Sequence, residues 1–472
     1  MSNFQEAHAV SVAAIQKKLK ACHESGRKVT IYHGNTNSTR ALGLSDGEIV
    51  DISCLNRVLS INAEGRYALV EPNVSMDALV EATLAAGFLP PVVPEFPGIT
   101  LGGAIQGGAG ESSSFKYGGV HNCCEEYEIV LGNGEVVRAS AKENNDLFWG
   151  TACAYGSLGI VTLVKLRLIP AKPYIRLTYI PAESSEEAVS ALLEYAASNE
   201  AEYMDGILFS KNCGVIMVGQ LVDGAAGLPV ATFRKATDEW FYLHAKNAVK
   251  TKTSLSEYIP VCDYLFRYDR GAFWMGRYSF KRLHVPFNRL TRFLFNPFCA
   301  TRTLYRLLHA TNISQEYLIQ DICFPKETVR EFLRFAEEEL NVYPVWLLPI
   351  KPGQQEKLSP ACLRTDMGMD VGVWGEAKTG FENFVRLNRD IETLAKKLGG
   401  RKTLYAHSYY SPEEFWDIYD EAWYAGLRKK YHAENVFPDV YEKTKVNERY
   451  RGSILKGAWN LLKAPFKLPF SE

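Results

Sequence analysis

The sequence predicts an α+β protein made of more than one compact unit. Residues 1–170 alternate short strand-like runs with helices and are dense in glycine. Beyond 170–175 glycine thins while aromatics and arginines rise, and the rest of the chain sets helix-like segments between apolar strand-like runs. A chain of 472 residues also exceeds the length at which one core keeps growing.

Taken in order, residues 1–20 read as an amphipathic helix and 29–32 as a strand running into the polar turn HGNTNS at 33–38. Runs at 58–62 and 67–71 flank the Glu64-Gly65 turn and predict a hairpin. Ser75 can cap a helix to Ala86, with Asp77 in its first turn and Gly87 as its stop. Residues 129–131 and 136–139 around Gly132 to Gly134 form a second hairpin, and a strand over 160–169 ends at Pro170. Helices are predicted over 185–198 and 326–340, and strands over 206–209, 213–218 and 342–348, as a sheet covered by helices on one face. Residues 352–360 are a polar loop, 403–409 a strand, and Ser411, Pro412, Glu413 and Glu414 start a last helix. The divisions expected are 1–172, 173–403, a segment 404–450 and a basic tail 451–472.

Charge excludes one class of partner. With 53 basic against 54 acidic side chains there is no global field to attract nucleic acid or to drive condensation on anionic lipid. Ten cysteines without a CxxC pair indicate neither a zinc site nor a disulfide scaffold, so no metal is expected. No run of about 18 apolar residues occurs, and the N-terminal residues lack a signal core, so a cytoplasmic protein is expected.

The most informative segment is TLGGAIQGGAGESSSFKYGGV at 100–120, which holds seven glycines between 102 and 119. Such density costs backbone entropy and calls for left-handed turns or close approach of main chain to a ligand. A diphosphate gives one reason, since successive N–H groups form an anion-binding concavity to which Ser112 and Ser113 could add hydroxyls. A structural loop explains the count equally well. A Rossmann site is excluded: Gly108 and Gly110 have the first spacing of GxGxxG, but Ser113 stands where the third glycine belongs.

Three segments make this specific: VVPEFPGITLGGAIQGGAGESSSFKYGGV at 92–120, ENNDLFWGTACAYGSLGIVT at 143–162 and IPAKPYIRL at 169–177. With EYIPVCDYLFRYDRGAFW at 257–274, NVYPVWLLP at 341–349, LYAHSYYSPEEFWDIYD at 404–420 and FPDVYEK at 437–443, they resemble the sterol side-chain Δ24 reductases of the vanillyl-alcohol-oxidase superfamily. That resemblance implies a bicyclic PCMH-type FAD domain of two α+β subdomains, followed by an α+β cap domain with an antiparallel sheet. It places FAD against Thr100, Leu101, Gly102, Gly103, Gly107, Gly110, Glu111, Ser112 and Ser113, and against Gly156, Gly159, Ile160 and Val161. YHGNTNS at 32–38 takes the place of the first phosphate loop. Thr36 stands where covalent members carry a histidine, so dissociable FAD is expected, with NADPH as the electron source.

An isolated trisubstituted alkene accepts hydride poorly, so the implied reaction needs a positioned acid and an aromatic pocket tolerant of developing positive charge. Aromatics crowd 264–280, and Tyr268, Phe273, Trp274 and Tyr278 are the candidates for the substrate, with core packing as the plain alternative. If 404–409 is a strand, Tyr405, His407 and Tyr409 share one face and are the candidate catalytic residues. In the resembling reductases a tyrosine stands at Tyr405 and an acidic residue at His407, so the histidine is a departure. Arg267, Arg270, Arg277, Arg282, Arg289 and Arg292 offer cations for the NADPH 2′-phosphate, though surface pairing explains any one of them.

Two segments, 289–310 and 452–470, mix bulky apolar residues with Lys and Arg, and Leu455, Trp459 and Leu462 follow helical spacing. They are candidates for peripheral contact with a membrane, that of the endoplasmic reticulum by resemblance, although internal docking explains the spacing too. Three readings follow: a reductase of a carbon–carbon double bond in a sterol or isoprenoid-like molecule, an FAD oxidase or dehydrogenase of a small hydrophobic metabolite, and a non-catalytic lipid-binding flavoprotein.

Overall fold

A computed structural model describes residues 3–34, 37–40, 48–198, 200–353, 355–376, 380–446 and 448–450. Its architecture is α+β. A five-stranded antiparallel sheet runs in the order Val58–Asn62, Tyr67–Val70, Ile160–Arg167, Cys124–Val130 and Val136–Ser140. Both hairpins expected from the sequence lie in this sheet. A parallel pair, Val29–Tyr32 with Glu48–Asp51, packs beside the N-terminal helix Asn3–Glu24 through Leu19, Val29 and Val50.

The strand Tyr174–Ala182 belongs to a different sheet. Eight antiparallel strands follow the order Leu255–Pro260, Tyr174–Ala182, Cys213–Val222, Tyr203–Ser210, Val345–Ile350, Gly368–Glu376, Tyr317–Pro325 and Arg401–Lys402. Period-two alternation gives this sheet two unlike faces. Leu318, Ile322 and Phe324, with Val345, Leu347, Met369, Val371 and Val373, pack against the helices Ser185–Ser198, Val329–Phe335 and Phe381–Lys397. Residues of opposite parity, Tyr317, Ile319, Asp321 and Cys323 on one strand and Trp346, Leu348 and Ile350 on another, face a cavity.

A buried ion network joins the sheets. Arg267 donates to Glu111 at 2.9 Å and to Asp205 at 3.1 Å, and Asp205 also accepts from Tyr268 and Trp346. Removing one partner of such a buried pair costs about 3–5 kcal/mol, because the remaining charge is left uncompensated. Arg267 therefore holds the end of the glycine-rich segment against the eight-stranded sheet. Among the described residues no helix is long and apolar enough to cross a membrane.

The sequence misplaces one strand. Residues 404–406 form a turn and Ser408 makes only an isolated bridge to Lys445, because the carbonyls at 404–406 are taken by a distant segment: Ser38 Oγ and Thr39 N–H donate to Tyr405 O, and Arg40 donates to Leu404 O and Ala406 O. Only Arg401–Lys402 pairs with the sheet edge. The helix that follows, Pro412–Ile418, starts with Ser411 and Glu414 capping one another's backbone N–H.

Candidate active site

The cavity, about 500 Å³, lies between the two sheets and has two unlike walls. The first is largely main chain. Thr100 caps the helix Leu101–Gly107 by accepting from Gly103 N–H at 3.2 Å. Gly102 lets this helix close on the preceding turn, since a Cβ there would meet Pro72 at 2.7 Å. Gly103 and Gly107 are different: a Cβ on Gly107 would meet nothing within 4 Å, and one on Gly103 only the Thr100 hydroxyl. Both line the cavity, so bare backbone faces open space there.

Opposite stand Gly156, Gly159, Ile160 and Val161, with Gly156 N–H donating to Gln106 Oε1 at 2.9 Å. Two cations complete this wall. Arg40 lies over the Tyr155 ring, and Lys443 enters from the C-terminal segment, its amine lowered to about 8 by burial and by Arg428 and Arg40. Bare glycine backbone and two cations fit the diphosphate of a dinucleotide. Gly103, Gly107, Arg40 and Lys443 are the residues that would hold it.

The second wall is side chain. Ala272 and Phe273 are both left-handed, φ 45° and 60°, and the Phe273 ring meets Trp374 and Trp346 with centroids 4.5 and 5.3 Å away. Leu304, Leu307, Leu308 and Tyr305 of the helix Thr301–Thr311 close the apolar side. Into this lining project three carboxyls, Asp321, Asp370 and Glu95. Tyr405 donates to Asp321 Oδ2 at 2.8 Å, while Asp321 Oδ1 has no hydrogen-bond partner among the described residues. The Trp374 indole N–H stands close enough to steady that carboxylate without forming an aligned bond. Gly372, opposite Asp321 in the ladder, makes the room: a Cβ there would come within 2.9 Å of Oδ1.

Burial, then the charge of Asp370, pushes Asp321 well above the ordinary carboxyl range. Burial raises Asp370 to about 7, and burial with Glu111 raises Glu95 to about 8. At neutral pH this wall holds protons.

The structure brings some of the expected residues together and separates others. Thr100, Gly102, Gly103, Gly107, Gly110, Gly156, Gly159, Ile160 and Val161 line the cavity, as do Phe273 and Tyr405. Leu101 points into the core instead. Glu111, Ser112 and Ser113 are buried where the chain turns toward the second sheet: Glu111 pairs with Arg267, Ser112 Oγ accepts from Tyr264, and Ser113 Oγ donates to Pro91 O. Their polar atoms are thus spent on the protein, which corrects their placement beside a diphosphate.

His407 and Tyr409 also leave the cavity, because the turn sends them toward the helix Phe381–Lys397. His407 sits between Thr39 and Ser314 with Phe384 edge-on at 5.3 Å, and burial with Arg40 and Lys402 lowers it to about 3. A ring so lowered is a neutral imidazole at neutral pH and has no acidic imidazolium proton to give. Tyr409 meets Gln315. Tyr268 is held by Asp205 and stacked on Phe273, Trp274 donates to Trp374 O, and Tyr278 meets Arg277, so none of these three lines the cavity. Arg267 and Arg270 are spent on buried carboxylates and on backbone carbonyls. Thr36 and the tail 451–472 lie outside the described residues.

Sequence reasoning missed Arg40, Lys443, Glu95, Asp321 and Asp370. Two left a signal. In YLIQDICFP at Tyr317–Pro325 and GMDVGVWGE at Gly368–Glu376, a lone aspartate interrupts an apolar strand.

Fold and site together define an FAD-binding oxidoreductase, and the matching family model, an FAD binding domain, covers residues 7–140. The Delta(24)-sterol reductase of Homo sapiens is 30% identical over 94% of this chain and 87% of its own length. The Caenorhabditis elegans homologue is 28% identical over 94% and 88%, and the Arabidopsis thaliana enzyme 31% identical over 84% and 76%. The chain belongs to the Delta(24)-sterol reductase family.

Proposed function

We propose that this protein reduces the Δ24 double bond of a sterol or a close isoprenoid relative, with non-covalent FAD re-reduced by NADPH at a membrane surface. The observation that carries the reading is the juxtaposition in one cavity of a wall of bare glycine backbone with two cations and an apolar wall on which Tyr405 donates to a buried Asp321, whose pKa burial raises. Bound and reduced, FAD supplies the hydride.

The chain's own residues do the rest. The apolar side chains of the helix Thr301–Thr311 exclude water from the alkene. Tyr405 delivers a proton from its hydroxyl to the less substituted alkene carbon, and Asp321, kept neutral by burial, replaces that proton. The faces of Phe273, Trp346 and Trp374 stabilise positive charge as it develops at the neighbouring carbon. One proton and one hydride convert C=C to CH–CH, and NADPH with solvent restores both.

The test is anaerobic. The FAD-loaded protein is mixed with NADPH, then with a Δ24-unsaturated sterol in detergent. Bleaching of the flavin by NADPH, its recovery on adding the sterol, and a product two mass units heavier support the reading. A flavin that NADPH does not bleach, but that a small hydrophobic metabolite reduces, would favour the oxidase instead.

A further inference from the structure

Between Gly271 and Gln315 the sequence carries seven Arg or Lys and no Asp or Glu, in a chain whose net charge is −1. The same stretch is unusual in what it leaves uncovered. Of the thirteen large hydrophobic side chains exposed among the described residues, six fall here: Leu283, Leu290, Phe293, Leu294, Phe295 and Phe298. Leu290 and Leu294, at 66% and 61% exposure, lie on a six-residue helix, Arg289–Leu294, that buries none of its side chains. Arg289 and Arg292 form no ion pair among the described residues, and Arg292 lies over the Phe287 ring.

Exposed Leu and Phe flanked by unpaired Arg are the chemistry of a lipid interface, where the rings enter the acyl boundary and the guanidinium groups meet anionic headgroups. A second copy of the chain fits less well, because a two-fold contact would set Arg289 and Arg292 of one copy, which have no acidic partner among the described residues, near those of the other. Position completes the argument. The exposed turn Asn296–Phe298 leads directly into the helix Thr301–Thr311, whose Leu304, Leu307 and Leu308 line the cavity. Arg302 on that helix is paired with Asp77 and donates to Pro97 O, which fixes it to the glycine-wall side.

We infer that the face formed by residues 283–298 docks this protein on an anionic bilayer and that its substrate enters the cavity past the helix Thr301–Thr311. The docking stands on the exposed residues alone; the route of entry rests on the sterol reading above.

The experiment is vesicle flotation of the full FAD-loaded chain, without substrate, so that it is independent of turnover. Vesicles of phosphatidylcholine are compared with vesicles that also contain phosphatidylserine. Binding should favour the anionic vesicles and weaken with salt. The variant Leu290→Ser/Phe293→Ser/Leu294→Ser should lose at least about tenfold in vesicle affinity with its flavin spectrum and melting temperature unchanged. Arg289→Glu/Arg292→Glu should lose the preference for phosphatidylserine. Unchanged binding by the triple serine variant overturns the inference. So does loss of all binding on Leu455→Ser/Trp459→Ser, which would assign the contact to the tail, or a dimer that the triple serine variant dissociates while vesicle binding stays the same.

Discussion

The two walls of the cavity are built on opposite plans. The glycine wall comes mainly from two short stretches, 98–110 and 155–161, and exposes backbone. The acid wall gathers Glu95, Phe273, Tyr305, Asp321, Trp346, Asp370, Trp374 and Tyr405 from segments far apart in sequence, and exposes side chains. A ligand common to a family can be met by main chain from one compact motif. A proton donor in an apolar pocket needs desolvation from every side, which only distant elements can supply.

If the contrast is right, the walls should fail differently when altered. The largest effect should come from Gly107→Val. The protein itself has room for that side chain, so the apo melting temperature should stay within about 2 °C while FAD affinity falls at least about a thousandfold, a loss of about 4 kcal/mol or more. Full flavin occupancy would mean that the space is not the cofactor's.

Next come Tyr405→Phe and Asp321→Asn. Each should keep FAD and its reduction by NADPH yet slow turnover of the sterol by about a hundredfold, the scale of a lost general acid. Stopped-flow traces that separate the two half-reactions provide the check. If turnover is unaffected, the proton comes from elsewhere.

A smaller effect sharpens the electrostatic half of the comparison. Asp370 holds its proton in the fold up to about 7 against an ordinary 3.8, so stability falls as pH rises across that window, and it should do so less steeply in Asp370→Asn. Above about 7 the ionised Asp370 helps keep Asp321 protonated. Its removal should therefore move the alkaline limb of the kcat/KM profile to lower pH. A limb that stays in place would uncouple the two carboxyls.

The smallest catalytic effect is expected at His407. Its contacts to Ser314 and Thr39, 3.3 and 3.4 Å, are long, and it lies outside the cavity. His407→Ala should cost about 1–3 kcal/mol in urea denaturation and leave turnover within about threefold. A hundredfold loss of turnover without loss of stability would return His407 to the mechanism.

Local patterns carried much of the fold. The helix Ser185–Ser198 was legible from end to end, because its apolar residues repeat at helical spacing and it packs one face on the sheet. Both hairpins of the five-stranded sheet were legible from their turns. The strands Tyr317–Pro325 and Gly368–Glu376 were not, although they hold the two aspartates of the acid wall. Buried on both faces, they lack the polar alternation that marks a half-exposed strand.

By itself the sequence determined the glycine cradle, two of the three helices that cover the second sheet and the family, because each depends on residues near one another in the chain; the third helix, Phe381–Lys397, was not read from it. Only the tertiary structure decided which hydroxyl could act as an acid. Tyr405, His407 and Tyr409 are equivalent on an isolated strand, but the Ser38–Arg40 segment takes the carbonyls at 404–406 and bends the strand into a turn. Tyr405 is thereby set against Asp321, and the other two face a helix. A proton's affinity for its site depends on everything packed around it, and that surrounding exists only in the folded chain.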